Sequence, residues 1–248
     1  MYQWFYVKTI VDHLAAFHHY LLCTADEEWK KIFDKNFFFE HDTVDFDEVC
    51  KGMIDKMIAW NKDFESPLKK LRKVMSIEIC KYIYKDCVAE LGLPNILMHG
   101  DLWSNNLLWK KKSDGESPDK VAAFIDWQLS TTGNLTIDIA RILMLCCEPE
   151  IRRELESCIL EYYYKEFSRK MNESGKPVEY HIDQLKKAYE YASISQGLNL
   201  CFVAQVLDQM DDSPKMKENI EKVVKRAKIA LYDTVERTES IAPDWISI

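Results

Sequence analysis

Residues 99–106 read HGDLWSNN, and residues 125–128 read IDWQ. A histidine, a glycine, an aspartate and two asparagines within eight residues make a polar density that a folded chain tolerates only when each group finds a partner. Asp101 and Asn106 stand five residues apart, and Asp126 closes the apolar run VAAFI. Phosphoryl transfer from a nucleotide asks little covalent chemistry of a protein. It needs a carboxylate to accept the proton of the attacking hydroxyl, and oxygen ligands to hold magnesium on the phosphates. One aspartate, one asparagine and a second aspartate at the end of a strand supply that set.

The elements that must position this set can be read from periodicity. Before the motif the chain is helical. Val7, Ile10, Val11, Leu14, Phe17 and Leu21 mark one helix, and Phe46, Val49, Met53, Met57 and Trp60 mark a second. A third is predicted from a Ser66-Pro67 start to Leu91, stopping at Gly92. Then the period changes. Asn95–Met98, Leu107–Trp109 and the VAAFID run are short apolar segments, and an Asp114-Gly115 turn predicts that the last two pair as a hairpin. Helical character resumes over Ile137–Cys147, from Ile151 through Phe167 to near Gly175, from Ile182 to about Leu207, and from Ser213-Pro214 onwards. The predicted fold class is mainly α with a small β hairpin. A single domain over 1–248 is expected, helical over 1–94 and 129–248, with the catalytic loop and hairpin at 95–128.

Composition narrows the function classes. A net charge of −8 and a pI near 5.4 argue against nucleic-acid binding, which favours a basic face. The eight cysteines include no C-x-x-C pair, so the spacing predicts buried thiols rather than a zinc site. The start MYQWFYVKTIVDHL is broken by Lys8 and Asp12 and lacks a cleavage site, and no apolar run reaches membrane-spanning length. A cytoplasmic protein without a membrane partner is expected. Two glycosylation patterns, at Asn134 and Asn172, are taken as chance, and Tyr162, Tyr163 and Tyr164 as helix packing.

The spacing H-x-D-x-x-x-x-N is the catalytic-loop pattern of kinases. HGDLWSNN followed by IDWQ, with the Asp138-Ile139-Ala140-Arg141 stretch beyond, resembles the CHK kinase-like family of choline-kinase-like and ecdysteroid-kinase-like proteins, related to the aminoglycoside phosphotransferases. The uncharacterised nematode members are the most similar. The resemblance implies the large, C-terminal lobe of a protein-kinase-like fold. It also implies ATP with Mg2+ as cofactors and the hydroxyl of a small organic molecule as substrate. Carried onto this sequence, it makes Asp101 the catalytic base and Asn106 and Asp126 the metal ligands. His99 would support the loop backbone and Asp138 would brace the loop; Trp103 and Gln128 match without an assigned role.

One departure matters. The glycines are at 52, 92, 100, 115, 133, 175 and 197, so neither G-x-G-x-x-G nor G-x-x-x-x-G-K occurs. With three helices before His99, the nucleotide-clamping small lobe is expected to be missing. These 248 residues alone are then expected to be inactive or weakly active. The alternative is a non-catalytic pseudokinase fragment that binds a protein partner at the uncovered small-lobe face. On substrate class, the tryptophans at 103, 109 and 127 suit a cationic amine, whereas the resemblance favours a bulky neutral alcohol.

Overall fold

The computed structural model describes residues 2–24, 27–34, 45–110, 120–210 and 214–247. Helices α1 (Tyr2–Cys23), α2 (Glu28–Phe33), α3 (Phe46–Trp60), α4 (Glu65–Lys70), α5 (Ile77–Lys81) and α6 (Cys87–Glu90) precede the first strand, β1 (Ile96–Met98). Then come β2 (Leu107–Trp109), β3 (Val121–Phe124) and β4 (Thr131–Gly133). Helices α7 (Ile137–Cys146), α8 (Pro149–Glu156), α9 (Ile159–Glu173), α10 (Ile182–Met210) and α11 (Pro214–Ile241) complete the order. The described residues are therefore mainly helical, as the periodicity predicts, with two small antiparallel sheets, one of them the expected hairpin. No described helix is long and apolar enough to cross a membrane.

The backbone groups into two compact units. One comprises Met1–Phe37 with Lys85–Tyr189, the other Phe38–Tyr84 with Glu190–Ile248. In the first, α1 lies along α9. Val7, Ile10, Val11 and Leu14 are buried on α1, and Leu160, Tyr163 and Phe167 on α9. Helix α7 is buried from Ile137 through Leu145, with no polar face left. A helix buried on all sides is a core element, so charges it carries must be used internally. In the second unit, Ile54, Met57, Phe64, Leu68 and Leu71 form one part of the core, and Cys201, Ala227 and Leu231 another.

Two sheets frame the site. β2 and β3 pair with Leu107 opposite Phe124 and Leu108 opposite Ala123, which is the hairpin expected; its Asp114-Gly115 turn lies outside the described residues. β1 pairs instead with β4, Ile96 opposite Gly133 and Met98 opposite Thr131. The sequence reading contains no β4, because Thr-Thr-Gly is too short and too polar to stand out by alternation.

Several helix boundaries differ from expectation for local reasons. The predicted helix from Ser66 to Leu91 is broken. It starts at Glu65 as a continuation of a 3-10 turn (Lys62–Phe64), so Ser66 is not its cap. At Ser76 the backbone turns extended (ψ 154°) while the hydroxyl accepts from Ile79 N, and the Asp47 carboxylate accepts from Ile77 N at 2.7 Å. Those side chains offer the backbone a better bargain than continuing the helix. The helix expected from Ile151 through Phe167 is likewise two, separated at Ser157–Cys158, where Ser157 Oγ donates to Glu154 O. On α3 the predicted apolar stripe is one step off. Cys50, Ile54, Met57 and Ile58 are buried while Val49 is exposed.

Candidate active site

The site is assembled in the first unit by the β1–β4 pair, the hairpin and α7. Chain leaving β1 passes directly into the HGD loop. Gly100 there has φ +79°, and a Cβ on it would lie 2.4 Å from Leu129 O, so the loop closes only around a glycine. His99 is buried, and its backbone N–H and that of Gly100 donate to the two Asp138 carboxylate oxygens at 2.7 and 2.9 Å. Asp138 thus holds the loop backbone from α7. Burial pushes its carboxyl up, and His99, the two N–H donors and Arg141 pull it back.

The His99 ring ties the loop to the second half of the site. Nε2 stands 2.9 Å from Ile125 O, and Nδ1 is 3.3 Å from the Asp101 N–H. Since a carbonyl only accepts, Nε2 carries the proton and Nδ1 accepts. Ile125 is also held on its other side, its N–H donating to Asn106 O at 3.0 Å. With Ile125 fixed on both sides, the next residue is aimed. Asp126 has φ 65° and ψ 63°, the one non-glycine left-handed residue among those described. Such a conformation is held against its cost only where the surroundings dictate it, and it clusters at functional sites. Its side chain is exposed.

Asp101 and Asn106 are brought together. Asn106, buried at the end of a 3-10 turn (Ser104–Asn106), donates from Nδ2 to Asp101 O at 2.8 Å and to Asp101 Oδ2 at 3.2 Å. With the amide nitrogen spent on the loop, the amide oxygen is the end left for a cation. The guanidinium of Arg141 donates to Asp101 Oδ1. Asp101, Asn106, His99, Asp138 and Arg141 are therefore linked through one hydrogen-bonded network that also takes in the Ile125 backbone, and Asp126 is the next residue along the chain. No cluster of three or more histidine, cysteine or acidic side chains suited to a metal occurs among the described residues. An amide oxygen and a carboxylate, the donors that Asn106 and Asp126 would offer, are of the kind magnesium takes beside its waters and substrate phosphates.

A family model, DUF1679, described as "Uncharacterized oxidoreductase dhs-27", matches residues 5–241. The chain belongs to this family. It is 27% identical over 233 residues to the Caenorhabditis elegans protein described as uncharacterized oxidoreductase dhs-27, covering 93% of this chain and 28% of that protein. It is 28% identical over 195 residues to uncharacterized kinase-like protein D1044.1 of the same organism, covering 74% of this chain and 45% of that one. The chain thus spans less than half the length of either relative. A crystal structure from Ralstonia eutropha JMP134, described as a "putative aminoglycoside phosphotransferase", aligns with a TM-score of 0.38 and 14% identity over 92% of this chain and 65% of that one, too low to carry an argument. The DUF1679 chain is related to nematode kinase-like proteins, in line with the resemblance read from HGDLWSNN and IDWQ.

Residues without an assigned role in the sequence reading also belong to this DUF1679 site. Arg141 is one, and its signal was a second charge three residues after Asp138 in an otherwise apolar helix. Leu108 and Ile125 are others. They are 48% and 38% exposed and adjoin Asn106 and Asp126 along the chain or across the hairpin. Leu108 pairs with Ala123, and Ile125 lies two residues further on, so all three share one face of the hairpin strand beside Asn106 and Asp126. Other expected candidates are committed to packing. Trp109 meets Tyr6 edge-on at 4.9 Å, and Trp127 contacts His99 at 4.6 Å and Phe17 at 5.4 Å. Tyr162, Tyr163 and Tyr164 bond to Asp12, His18 and the Tyr180 carbonyl.

Proposed function

We propose that this chain carries the catalytic core of a magnesium- and ATP-dependent phosphotransferase acting on a hydroxyl of a small organic molecule. The observation that supports it most is Asn106, which holds Asp101 through its amide nitrogen and the Ile125 backbone through its own carbonyl. It ties one oxygen of the base carboxylate to the residue before Asp126, which has a left-handed conformation. The acceptor oxygen forms a bond to the γ-phosphorus, the bond from that phosphorus to the bridging oxygen breaks, and the electron pair leaves with ADP. Asp101 takes the hydroxyl proton. Magnesium, held by Asn106 and Asp126 when bound with the nucleotide, supplies charge neutralisation on the phosphates. The apolar face of Leu108, Ala123 and Ile125 suits the flat nucleotide base.

The test is Mg–ATP calorimetry with a radiolabelled phosphate-transfer assay on the protein. Asp101→Ala should lower turnover by orders of magnitude with ATP affinity within about twofold, since a base acts on the chemical step. Asp126→Ala should remove the magnesium-dependent part of the affinity. Unchanged turnover in Asp101→Ala rejects the aspartate as base.

The substrate class we favour is a neutral, bulky alcohol. Two of the three tryptophans suited to an amine cage are occupied in packing, leaving half-buried Trp103 next to Asp101. Thermal shifts with polycyclic alcohols, and none with quaternary amines, are expected; stabilisation by the amines alone reverses this choice. The word oxidoreductase in the relative's description fits this chain less well. The sequence holds no glycine-rich dinucleotide fingerprint, and the described strands pair only antiparallel. The exposed Leu108 and Ile125 also favour a second reading, a protein-binding module. A clean monomer in light scattering with no binding of a hydrophobic dye counts against it.

A further inference from the structure

We propose that Arg141 is the positioning residue for Asp101, a role that rests on the phosphotransfer reading. Arg141 and Asp138 sit three residues apart on α7, hence on one helix face. They grip the HGD loop at two levels. Asp138 takes the backbone N–H groups of His99 and Gly100, whereas Arg141 takes the carboxylate oxygen Oδ1 of Asp101. Asn106 Nδ2 holds the other oxygen. Each oxygen of the base thus has its own donor, and the carboxylate plane is set before any substrate arrives.

Burial of this pair favours a use beyond stability. The Arg141 side chain is 6% exposed and that of Asp101 16%. A buried ion pair costs desolvation that a pair of apolar side chains of similar volume would avoid, so stability alone gives little reason to keep it. Positioning gives one, because displacing a reacting group by about 1 Å costs on the order of a hundredfold in rate. Arginine also cannot surrender its proton, and its planar fork fixes geometry where a lysine would act as a mobile point charge. Arg141 therefore holds the base in one orientation.

The experiment has two arms on the 248-residue chain. The first labels arginine with 15N and follows the guanidinium Nη–H signals, assigned by their loss in Arg141→Lys. Slow-exchanging signals that collapse in Asp101→Asn are expected; signals indifferent to Asp101→Asn overturn the pairing. The second arm measures Mg–ATP hydrolysis with water as acceptor. Arg141→Lys and Arg141→Ala should lower kcat about ten- to a hundredfold while KM for ATP stays within about twofold. Low concentrations of free guanidinium should restore part of the rate to Arg141→Ala but none to Asp101→Ala, a rescue that a purely structural residue would not show. If kcat is unchanged, or KM alone rises, Arg141 does not position the base. If the slow hydrolysis expected of this chain is the same in Asp101→Ala as in the unmodified protein, the phosphotransfer reading falls and takes the catalytic use of the pair with it, while the first arm still reports whether the pair forms.

Discussion

Gly100 and His18 show how single residues constrain this protein. At Gly100 an alanine would need φ +79° with its Cβ 2.4 Å from a backbone carbonyl, and a backbone cannot swing aside as a flexible side chain does. Gly100→Ala should cost on the order of 1–3 kcal/mol from backbone strain alone, read as a lowered thermal midpoint together with lost Asp138 bonding to the loop. His18 is fully buried on α1, its Nδ1 2.7 Å from the Tyr163 hydroxyl, and burial pulls its pKa down from 6.5 to about 3. The folded state therefore keeps His18 neutral while the unfolded chain takes up a proton below about pH 6.5. The stability this histidine contributes is complete above pH 6.5 and is lost as pH falls toward 3, by about 1.4 kcal/mol per unit. Denaturant melts between pH 6.5 and 5 should show that slope in the wild type, and His18→Gln should flatten it. An unchanged slope would place the titration elsewhere.

Among elements, the crossing of α10 and α11 in the second unit makes the sharpest prediction. A Cβ at Gly197 would lie 2.0 Å from Thr234 Oγ1 and 3.3 Å from Thr234 Cβ, and that hydroxyl donates to Ala230 O at 2.7 Å. The two helices approach closely because one offers no side chain at the contact. Gly197→Ala should destabilise by about 1–3 kcal/mol through overpacking. Adding Thr234→Ala removes the clashing oxygen, so the double variant should recover most of the loss, a non-additivity that denaturant titration of all four chains would measure. Additive losses would mean that the helices simply slide apart.

For the whole chain, the expected behaviour is weak nucleotide binding and very slow transfer. On the proposed reading Asn106 and Asp126 would hold magnesium only as part of a metal–phosphate complex, and the 248 residues contain no glycine-rich loop to grip those phosphates. Positioning and electrostatic preorganisation supply most of this catalysis, so a mobile, hydrated γ-phosphate reacts slowly. Calorimetry on residues 1–248 should find Mg–ATP affinity weaker than micromolar. A micromolar affinity that vanishes in Asp126→Ala would show that the first 98 residues contain a nucleotide clamp without the usual glycine pattern. The relatives that this chain matches are longer: the 233 matched residues span 28% of one and the 195 matched residues 45% of the other.

Local chemistry made much of the protein legible from sequence. The hairpin strands announced themselves by short apolar runs, and α1, α7 and α10 by sustained period. The HGDLWSNN and IDWQ motifs carried the kinase-like resemblance because their polar residues fall at short sequence separation. What depended on distant partners stayed hidden. β4 exists because β1 is there to pair with it, and α3 buries Cys50 and Ile54 rather than Val49 because the surface it meets chooses between two nearly equal stripes. Arg141 was visible as a charge in an apolar helix, yet its bond to Asp101, forty residues away, exists only once α7 is folded beneath the loop. Sequence sets which donors and acceptors a segment owns; tertiary structure decides which of them meet, because a buried charge must find its counterpart wherever the fold places it.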